Sequence, residues 1–364
     1  MAKVIKATTE LRQELGKLIP LEVPFTCGIY PTNACNFKCK YCAQSCRPQH
    51  IKNVFLDWDI YKKCIDDLTG FSSPLKLLVF AGLGEPLLHP RISEMVRYAN
   101  EKKVAETVRI ITNASLLTPE LSDELIEAGL GHLKISIQGL DDEAYFDMCG
   151  TTIGLEKIIG NISYFFQHKK DTVVNVKIVS DAFKQPDDEQ RFYEMFGGIC
   201  DVMNIEHIAP YQETDYSSLV TEEFVSQTGQ AEAANKICQM PFYFYTVYPD
   251  GEVLPCCLMS FENYKGISLG NVRQLNIAEL WNSREFHKFR LELLKDHRRG
   301  ICADCKTFSS ICAPEDNIDQ YAEKLIPVFE SLGGADELIW RIFGLKIRQK
   351  YYLENVRRSR QALM

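Results

Sequence analysis

Six apolar runs, separated by amphipathic stretches, constrain the fold of this chain most tightly. Each run is rich in Val, Ile and Leu, which is typical of strands buried on both faces of a parallel sheet. The runs cover residues 23–32, 75–82, 106–113, 132–139, 172–180 and 200–208. Predicted helices between them cover residues 91–103, 118–129, 154–167 and 187–197. This alternation predicts parallel βαβ units, and six strands predict an open, partial (β/α)6 barrel.

Polar clusters directly follow four of the predicted strands. In parallel barrels the chemistry takes place at the carboxyl ends of the strands, so residues at these ends are the candidates for function. The clusters are the cysteine-containing segment 35–42, Gly-Leu-Gly-Glu-Pro at 82–86, Thr112-Asn113 and Ser-Ile-Gln-Gly at 136–139. The sequence therefore predicts that these four segments meet at one edge of the sheet.

The fourteen cysteines of this 364-residue chain fall mainly into two groups. Disulfide frameworks are typical of small secreted domains, and the opening Met-Ala-Lys-Val-Ile-Lys lacks the apolar core of a signal peptide. No apolar run reaches the ~18 residues that a membrane span needs. A net charge of −8 gives no reason to expect a nucleic-acid partner. We therefore expect a cytoplasmic protein whose grouped cysteines bind metal.

The first group comprises Cys35, Cys39, Cys42 and Cys46, and its first three members have the spacing CxxxCxxC. Three thiolates are one short of a tetrahedral shell, so such a site leaves one position open. On the spacing alone, a zinc knuckle and a structural cluster with a fourth ligand from elsewhere are the alternatives.

The second group surrounds a predicted β-hairpin. Cys238 and Cys256 lie at its two open ends, and its turn is Pro249-Asp250-Gly251. A helix predicted over 276–295 then leads to Cys302-Ala-Asp-Cys305. Four thiolates from these segments predict one closed metal site, for which zinc is the alternative to an iron–sulfur cluster.

With Tyr41 before its last cysteine, the CxxxCxxC motif resembles the signature of the radical S-adenosylmethionine (radical SAM) superfamily. The resemblance implies that Cys35, Cys39 and Cys42 bind three irons of a 4Fe–4S cluster, whose fourth iron binds S-adenosylmethionine. The segment 82–86 is similar to the GGEP motif of the superfamily. Further residues implied to bind S-adenosylmethionine are Gly82, Gly84, Glu85 and Pro86 at the amino group, Asn113, Ser136 and Gln138 near the ribose, and Lys177 at the carboxylate.

Some of these positions have a second interpretation. Gln138 stands where relatives often carry Asp, which removes a charge and adds a donor. Lys177 can instead extend from its strand end toward water. Tyr41 and Phe37 either flank the cluster or the adenine, or only pack in the loop.

The second cysteine group resembles the auxiliary-cluster extensions called twitch and SPASM. The resemblance implies one auxiliary 4Fe–4S cluster on Cys238, Cys256, Cys302 and Cys305. Cys312 comes one residue late for the longer SPASM pattern, and no cysteine follows it. We therefore expect one auxiliary cluster rather than two. Cys257 and Cys312 are left as candidate hydrogen donors or as buried, inert thiols.

The resemblance implies reductive cleavage of S-adenosylmethionine to a 5′-deoxyadenosyl radical, which abstracts hydrogen from a substrate. We expect dehydrogenation of a hydroxylated small molecule such as a sugar or polyol, with a flavodoxin- or ferredoxin-type electron donor. The alternatives are epimerisation of a sugar, modification of a peptide or protein, and a non-enzymatic role as a two-cluster electron-transfer protein.

The predicted organisation has five parts, which are an N-terminal segment 1–20, the barrel 21–210, a polar linker 211–237, the cluster domain 238–316 and a helical extension 317–364. In the extension, Ile339, Phe343, Ile347 and Tyr351 recur every four residues. This spacing predicts a basic amphipathic helix, which docks on its own protein, forms a homodimer contact or binds a membrane surface.

Overall fold

The computed structural model describes residues 2–4, 12–46, 49, 51–208, 226–227, 235–257, 266–305 and 307–334. The strands in these residues are β1 (Lys3–Val4), β2 (Thr26–Ile29), β3 (Leu75–Phe80), β4 (Ala105–Thr112), β5 (His132–Ile137), β6 (Val173–Val179), β7 (Val202–Glu206), β8 (Phe244–Val247), β9 (Glu252–Leu254) and β10 (Gly270–Asn271). The helices are α1 (Trp58–Leu68), α2 (Ile92–Lys102), α3 (Pro119–Glu127), α4 (Asp142–Cys149), α5 (Leu155–His168), α6 (Asp188–Phe196), α7 (Ile277–Trp281), α8 (Arg284–Leu294), α9 (Thr307–Ser310) and α10 (Ala322–Gly334).

Strands β2 to β7 are parallel neighbours, and each falls within one of the six predicted runs or overlaps it closely. The whole sheet has the order β1-β7-β6-β5-β4-β3-β2-β8-β9-β10. This arrangement confirms the predicted partial (β/α)6 barrel. The four predicted helices are also present as α2, α3, α5 and α6, and Thr118 caps α3 by accepting a hydrogen bond from the Leu121 amide at 3.3 Å.

The two faces of the sheet differ in polarity. Along β5, Leu133, Ile135 and Ile137 are buried in the core, whereas the alternate residues His132 and Lys134 are half-buried and polar. Because side chains alternate across a strand and the helices of a parallel barrel cover its outer face, the polar set lies on the other side of the sheet. The side of β2 to β8 that carries these residues is the inner face of the barrel, and β3 adds the apolar Leu77 and Val79 to it.

The predicted hairpin is confirmed and extends the barrel sheet. Strands β8 and β9 are antiparallel, and Gly251 in their turn has φ +90°, a conformation that favours glycine. Strand β8 also pairs in parallel with β2, so that Phe244 lies beside Thr26 and Thr246 beside Gly28. The cysteine-rich region is thus joined to the barrel through a continuous sheet.

Three features differ from the sequence prediction. Helices α1 and α4 were not predicted, although Asp57 and Asp141 cap their N-termini. The single helix predicted over 276–295 is divided into α7 and α8, because extended Ser283 caps α8 by accepting a hydrogen bond from the Phe286 amide at 3.2 Å. The short strand β1 adds a parallel neighbour to β7.

Part of the predicted organisation lies outside the described residues. This applies to most of the linker and to the amphipathic helix of residues 335–364, and the domain boundaries stay predictions. Within the described ranges, no helix is both long enough and apolar enough to span a membrane.

Candidate active site

The loop that follows β2 carries the first cysteine group. Cys35, Cys39 and Cys42 are half-buried, and the Cys42 amide donates to the Cys39 carbonyl at 3.0 Å. Burial raises the pKa of Cys35 to about 12, with contributions from the charges of Glu85 and Cys42. The pKa of Cys39 is likewise raised by burial and by Cys42, Cys149 and Cys35. The three thiols therefore lie close enough for each charge to affect the pKa of its neighbours.

Helix α4 supports this loop from one side. The Lys38 amide donates to the Cys149 carbonyl at 2.9 Å, and the Lys40 amide donates to Met148 at 3.0 Å. The next residue, Gly150, ends the helix with φ +63°, which favours glycine at this C-terminal position. The cysteine loop is therefore fixed to the end of a helix that was not predicted from the sequence.

The segment 82–86 packs tightly under the cysteine loop. A Cβ atom on Gly84 would lie 2.3 Å from the Thr32 carbonyl oxygen and 2.5 Å from that of Ala34. The Glu85 amide donates to the same Ala34 oxygen at 2.8 Å. Gly82 has φ +121°, and a Cβ atom there would collide with the Tyr30 ring. These glycines thus permit a close approach between two segments of the chain itself.

Glu85 is buried and accepts hydrogen bonds from three donors. Oε1 accepts from Thr112 Oγ1 at 2.6 Å and from the Leu87 amide at 3.1 Å, and Oε2 accepts from the Asn113 amide at 2.9 Å. Burial raises the pKa of Glu85, and these hydrogen bonds oppose the rise. The carboxylate therefore joins the end of β3 to the end of β4.

Asn113 connects β4 to the cysteine loop. Its Nδ2 donates to Asn36 Oδ1 at 3.0 Å, and its Oδ1 accepts from Ser115 Oγ at 2.6 Å. Asn36 in turn donates to Ser115 Oγ at 2.8 Å. Asn36 and Ser115 were not given a role from the sequence, although Asn36 lies inside the cysteine motif and Ser115 is two residues after Asn113.

Two further candidates meet on the opposite side of the loop. Tyr41 donates through its hydroxyl to Gln138 Oε1 at 2.6 Å, and Gln138 Nε2 donates to the Ser136 carbonyl at 3.4 Å. Phe37 is instead buried in the core, where its ring lies edge-on to Tyr145. Tyr41 and Gln138 therefore line the site together, whereas Phe37 packs.

Lys177 lies in a buried ion-pair group on the inner face. Lys177 and Lys134 both pair with Glu206, and Lys134 Nζ lies 2.7 Å from Glu206 Oε1. Burial alone would raise the pKa of Glu206, but Lys177 and Lys134 hold it well below its usual range. Neither Lys134 nor Glu206 was identified from the sequence, because the three residues meet only through the register of β5, β6 and β7.

The second cysteine group surrounds a cavity beside β8. Burial raises the pKa of Cys302 to about 12, and Cys256 and Cys305 raise it further, while Arg298 opposes them. Arg298 also donates to the Cys305 carbonyl at 3.3 Å. The cavity is lined by Cys238, Cys256, Cys302, Cys305, Met240, Pro241, Leu293, Arg298, Ile301 and Phe308. The four cysteines predicted to share one site thus face one space.

The two remaining thiols occupy different surroundings. Cys257 is half-buried, and its carbonyl accepts a hydrogen bond from the Tyr30 hydroxyl at 2.9 Å. Cys312 is buried, and its thiol donates to the Ala313 carbonyl at 3.4 Å. Burial, together with Asp316 and Asp319, raises the pKa of Cys312 to about 12. Of the two residues, Cys257 is the one whose backbone is bonded to Tyr30 of the inner face.

Both cysteine groups have the donor chemistry of iron–sulfur sites. A thiolate in a buried position is unfavourable without a compensating positive charge, and a metal group provides that charge. In the part of the chain that the structure describes, no three Cys, His, Asp or Glu side chains are gathered around a position for a single metal ion. The donor sets of three and four thiols match an open and a closed cluster site, respectively.

Comparisons with known proteins match the two parts of the chain that carry these cysteine groups. Residues 29–195 match the family model described as the Radical SAM superfamily, and residues 238–306 match SPASM, described as an iron-sulfur cluster-binding domain. A relative from Pyrococcus furiosus, the tungsten-containing aldehyde ferredoxin oxidoreductase cofactor-modifying protein, is 27% identical over 312 residues. The match covers 75% of this chain and 85% of that protein.

Two solved structures share the fold. The structure of native anSMEcpe with bound AdoMet superposes with a TM-score of 0.53 at 18% identity, covering 85% of this chain and 97% of that one. The structure of BtrN in complex with AdoMet and 2-DOIA has a TM-score of 0.50 at 20% identity, covering 78% of this chain and 93% of that one. A radical SAM domain binds a 4Fe–4S cluster with S-adenosylmethionine, and a SPASM domain binds auxiliary iron–sulfur clusters. Residues 29–195 of this chain therefore form a radical SAM domain, and residues 238–306 form a SPASM-type cluster-binding domain.

Proposed function

We propose that this enzyme dehydrogenates a hydroxylated small molecule, such as a sugar or polyol, to a carbonyl product. In this proposal Cys35, Cys39 and Cys42 hold the cluster that binds S-adenosylmethionine. One auxiliary 4Fe–4S cluster is held by Cys238, Cys256, Cys302 and Cys305. A flavodoxin- or ferredoxin-type protein is the proposed electron donor.

The observation that carries the proposal is the contact between the auxiliary site and the inner face. Thr246 Oγ1 donates to the Cys256 carbonyl at 2.8 Å, and the Tyr30 hydroxyl donates to the Cys257 carbonyl at 2.9 Å. Thr246 and Tyr30 belong to the alternating series of residues on the inner face of β8 and β2. Cys256 and Cys257 are thus held against the inner face of the barrel. The site at the carboxyl ends of the strands adjoins the same face.

The reaction removes two hydrogens from the substrate alcohol. One leaves its carbon as a hydrogen atom, and the other leaves its oxygen as a proton together with one electron. When bound, S-adenosylmethionine and its cluster supply the radical that takes the hydrogen atom, and the auxiliary cluster supplies an electron acceptor. The polar inner face, including Lys134, Asn175 and Asn204, offers hydrogen-bonding groups to a polar substrate.

The residues around the first cysteine group are proposed to position S-adenosylmethionine. Gly82, Gly84 and Pro86 shape the segment at its amino group, and Glu85 and Asn113 hold that segment against the cysteine loop. Ser136, Gln138 and Tyr41 are proposed to lie near its ribose and adenine, and Lys177 near its carboxylate. For Lys177 this requires that S-adenosylmethionine share the lysine with Glu206 or replace that pairing.

Epimerisation is the second candidate, and the position of Cys257 favours it. A radical epimerase needs a thiol that returns a hydrogen atom to the substrate, and the backbone of the half-buried Cys257 is bonded to Tyr30 of the inner face. Cys312 is a poorer candidate because its thiol is buried and bonds to Ala313. Modification of a peptide is a further alternative.

Cleavage of S-adenosylmethionine tests the enzyme class. Anaerobically reconstituted protein with dithionite should form methionine and 5′-deoxyadenosine, and a Cys35→Ala, Cys39→Ala, Cys42→Ala variant should form neither. Equal cleavage by that variant would contradict the site. With substrate in deuterated solvent, a two-electron-oxidised product from both wild type and Cys257→Ala supports dehydrogenation. Deuterium in an otherwise unoxidised product, lost in Cys257→Ala, supports epimerisation instead.

A further inference from the structure

Arg109 and His132 form a polar pair on the inner face, away from both cysteine groups. They are direct neighbours in the register of β4 and β5, and Arg109 Nε donates to His132 Nδ1 at 3.0 Å. Arg109 lies four residues before Asn113, or about 13 Å at ~3.3 Å per strand residue. The pair is therefore well below the carboxyl ends of the strands, where S-adenosylmethionine is proposed to bind.

The hydrogen bond from Arg109 fixes the tautomer of His132. Burial lowers the pKa of His132 to about 3, and the positive charges of Arg109 and Lys134 contribute, so the ring is neutral. Since Nδ1 accepts from Arg109, the single ring proton is on Nε2. His132 Nε2 is buried and has no hydrogen-bond partner among the described residues. A buried donor without an acceptor is costly, so an acceptor in a ligand would stabilise it.

The same region has an excess of positive charge. Arg109, Lys134 and Lys177 provide three cations on the inner face, and both lysines pair with Glu206. Asp201 also lies close enough to His132 to raise its pKa, but this carboxylate pairs with Lys169 at 3.2 Å. Within the ranges that the structure describes, no carboxylate pairs with Arg109, and burial alone lowers its pKa. A half-buried guanidinium without a counter-ion is unfavourable, and an anionic ligand would relieve that cost.

We propose that Arg109 and His132 bind an oxyanion group of the substrate, either a carboxylate or a phosphate. The guanidinium presents paired N–H donors that match the oxygens of such a group, and His132 Nε2 adds a third. The substrate is then a polar molecule with its anionic end deep in the barrel and its reacting carbon toward the carboxyl ends of the strands. This inference rests on the proposed function, since it takes the inner face to be the substrate site.

Anion binding to the cluster-loaded protein tests the assignment without the natural substrate. Inorganic phosphate and acetate are titrated separately by isothermal calorimetry, so that the two sources of oxyanion are compared. Loss of a charge-assisted hydrogen bond typically weakens binding about tenfold to a hundredfold. We expect Arg109→Gln to raise the dissociation constant of the preferred anion by this factor. His132→Leu should weaken binding of the same anion. His132→Gln keeps an N–H donor and should therefore weaken binding less.

Lys76→Gln is the matched control. It removes the same charge from the neighbouring strand β3, but Lys76 is exposed and lies over the Phe25 ring at 4.2 Å. Binding lost in Arg109→Gln and kept in Lys76→Gln supports the proposal. Binding that is absent in wild type, or equal in all variants and hence due to an adventitious ion only, overturns it. Cleavage of S-adenosylmethionine by wild type is measured alongside, so that failure of the proposed function is recognised separately.

Discussion

Glu85 shows how one buried carboxylate can organise the site. Its two oxygens accept from Thr112, Leu87 and Asn113, which lie on two strand ends, and its amide bonds to the cysteine loop. A carboxylate that accepts several hydrogen bonds keeps its surroundings rigid, because each donor would be left without a partner if it moved. We therefore assign Glu85 a positioning role.

Replacing Glu85 with Gln should destabilise the protein. The glutamine side chain has nearly the same volume as that of glutamate, but one of its two polar ends is a donor. At least one of the three groups that now donate to Glu85 therefore loses its acceptor. Hydrogen bonds to charged groups contribute about 1.5–3 kcal/mol each, so we expect a loss of about 2–3 kcal/mol in the free energy of unfolding. Urea denaturation measures this loss. Glu94→Gln is the control, because the half-buried Glu94 side chain pairs with the neighbouring Arg91 on the surface of α2, and this substitution should cost less than about 1 kcal/mol.

An unchanged free energy of unfolding in Glu85→Gln would contradict the positioning role. If affinity for S-adenosylmethionine then fell about tenfold or more, direct contact between Glu85 and its amino group would be the better explanation. The two roles are thereby separated by measuring stability and affinity on the same variant.

At the residue level, the sequence motifs identified residues that carry a motif better than partners that carry none. The structure brings Tyr41 and Gln138 together, as expected for two residues of one site. It also pairs Lys177 with Glu206, which lies 29 positions away and carries no motif. Such a partnership depends on the register between strands, and a single sequence does not contain that register.

At the level of elements, the junction between β2 and β8 connects the two cysteine sites. Gly28 in β2 lies opposite Thr246 in β8, and a Cβ atom at Gly28 would lie 2.7 Å from Thr246 Cγ2 and 3.3 Å from Phe244 Cζ. Because strand backbone and side chains are closely packed here, even one added methyl group must displace β8. Glycine is therefore required for this close approach.

Gly28→Ala should weaken the junction. Overpacking of this kind costs about 1–3 kcal/mol, and we expect a decrease of that size in the free energy of unfolding measured with urea. Gly160→Ala is the matched control, since a Cβ atom at Gly160 in α5 would meet nothing within 4 Å. That substitution should stabilise the helix by up to about 1 kcal/mol. Equal effects of the two substitutions would show that β8 adjusts without cost.

The elements missed from the sequence share a physical reason. Helix α4 has eight residues, and four of them are buried, so it is too short for a clear period of 3.6 residues. The division between α7 and α8 depends on Ser283 acting as an N-cap, which competes with a continuous helical pattern. The long strands and α2, α3, α5 and α6 were predictable because their apolar periods extend over several turns or residues.

At the scale of the whole molecule, two cysteine sites lie on one continuous sheet. The first follows β2 at its carboxyl end, and the second is connected to β8, which is the neighbour of β2. The order of the motifs along the chain predicted both sites, and the pairing of β8 with β2 had to be seen in the structure. Their common sheet gives a physical basis for two metal groups that act on one substrate.

The iron content of the protein tests this arrangement directly. If each site holds a 4Fe–4S cluster, anaerobically reconstituted wild type should contain about eight irons, and the Cys35→Ala, Cys39→Ala, Cys42→Ala variant about four. The variant keeps all four cysteines of the auxiliary cavity, so the remaining iron reports on that site alone. Iron and zinc are both measured by inductively coupled plasma mass spectrometry on the same samples.

Two other results have distinct signatures. Zinc in the auxiliary site would give about four irons in wild type, none in the variant and one zinc in both, and it would remove the proposed electron acceptor. About twelve irons would indicate a second auxiliary cluster, with Cys312 and a non-cysteine ligand such as Asp316 nearby. The structure argues against that result, because Asp316 already pairs with Arg12 and the Cys312 thiol bonds to Ala313. About eight irons in wild type and about four in the variant is therefore the outcome that the donor sets of three and four thiols require.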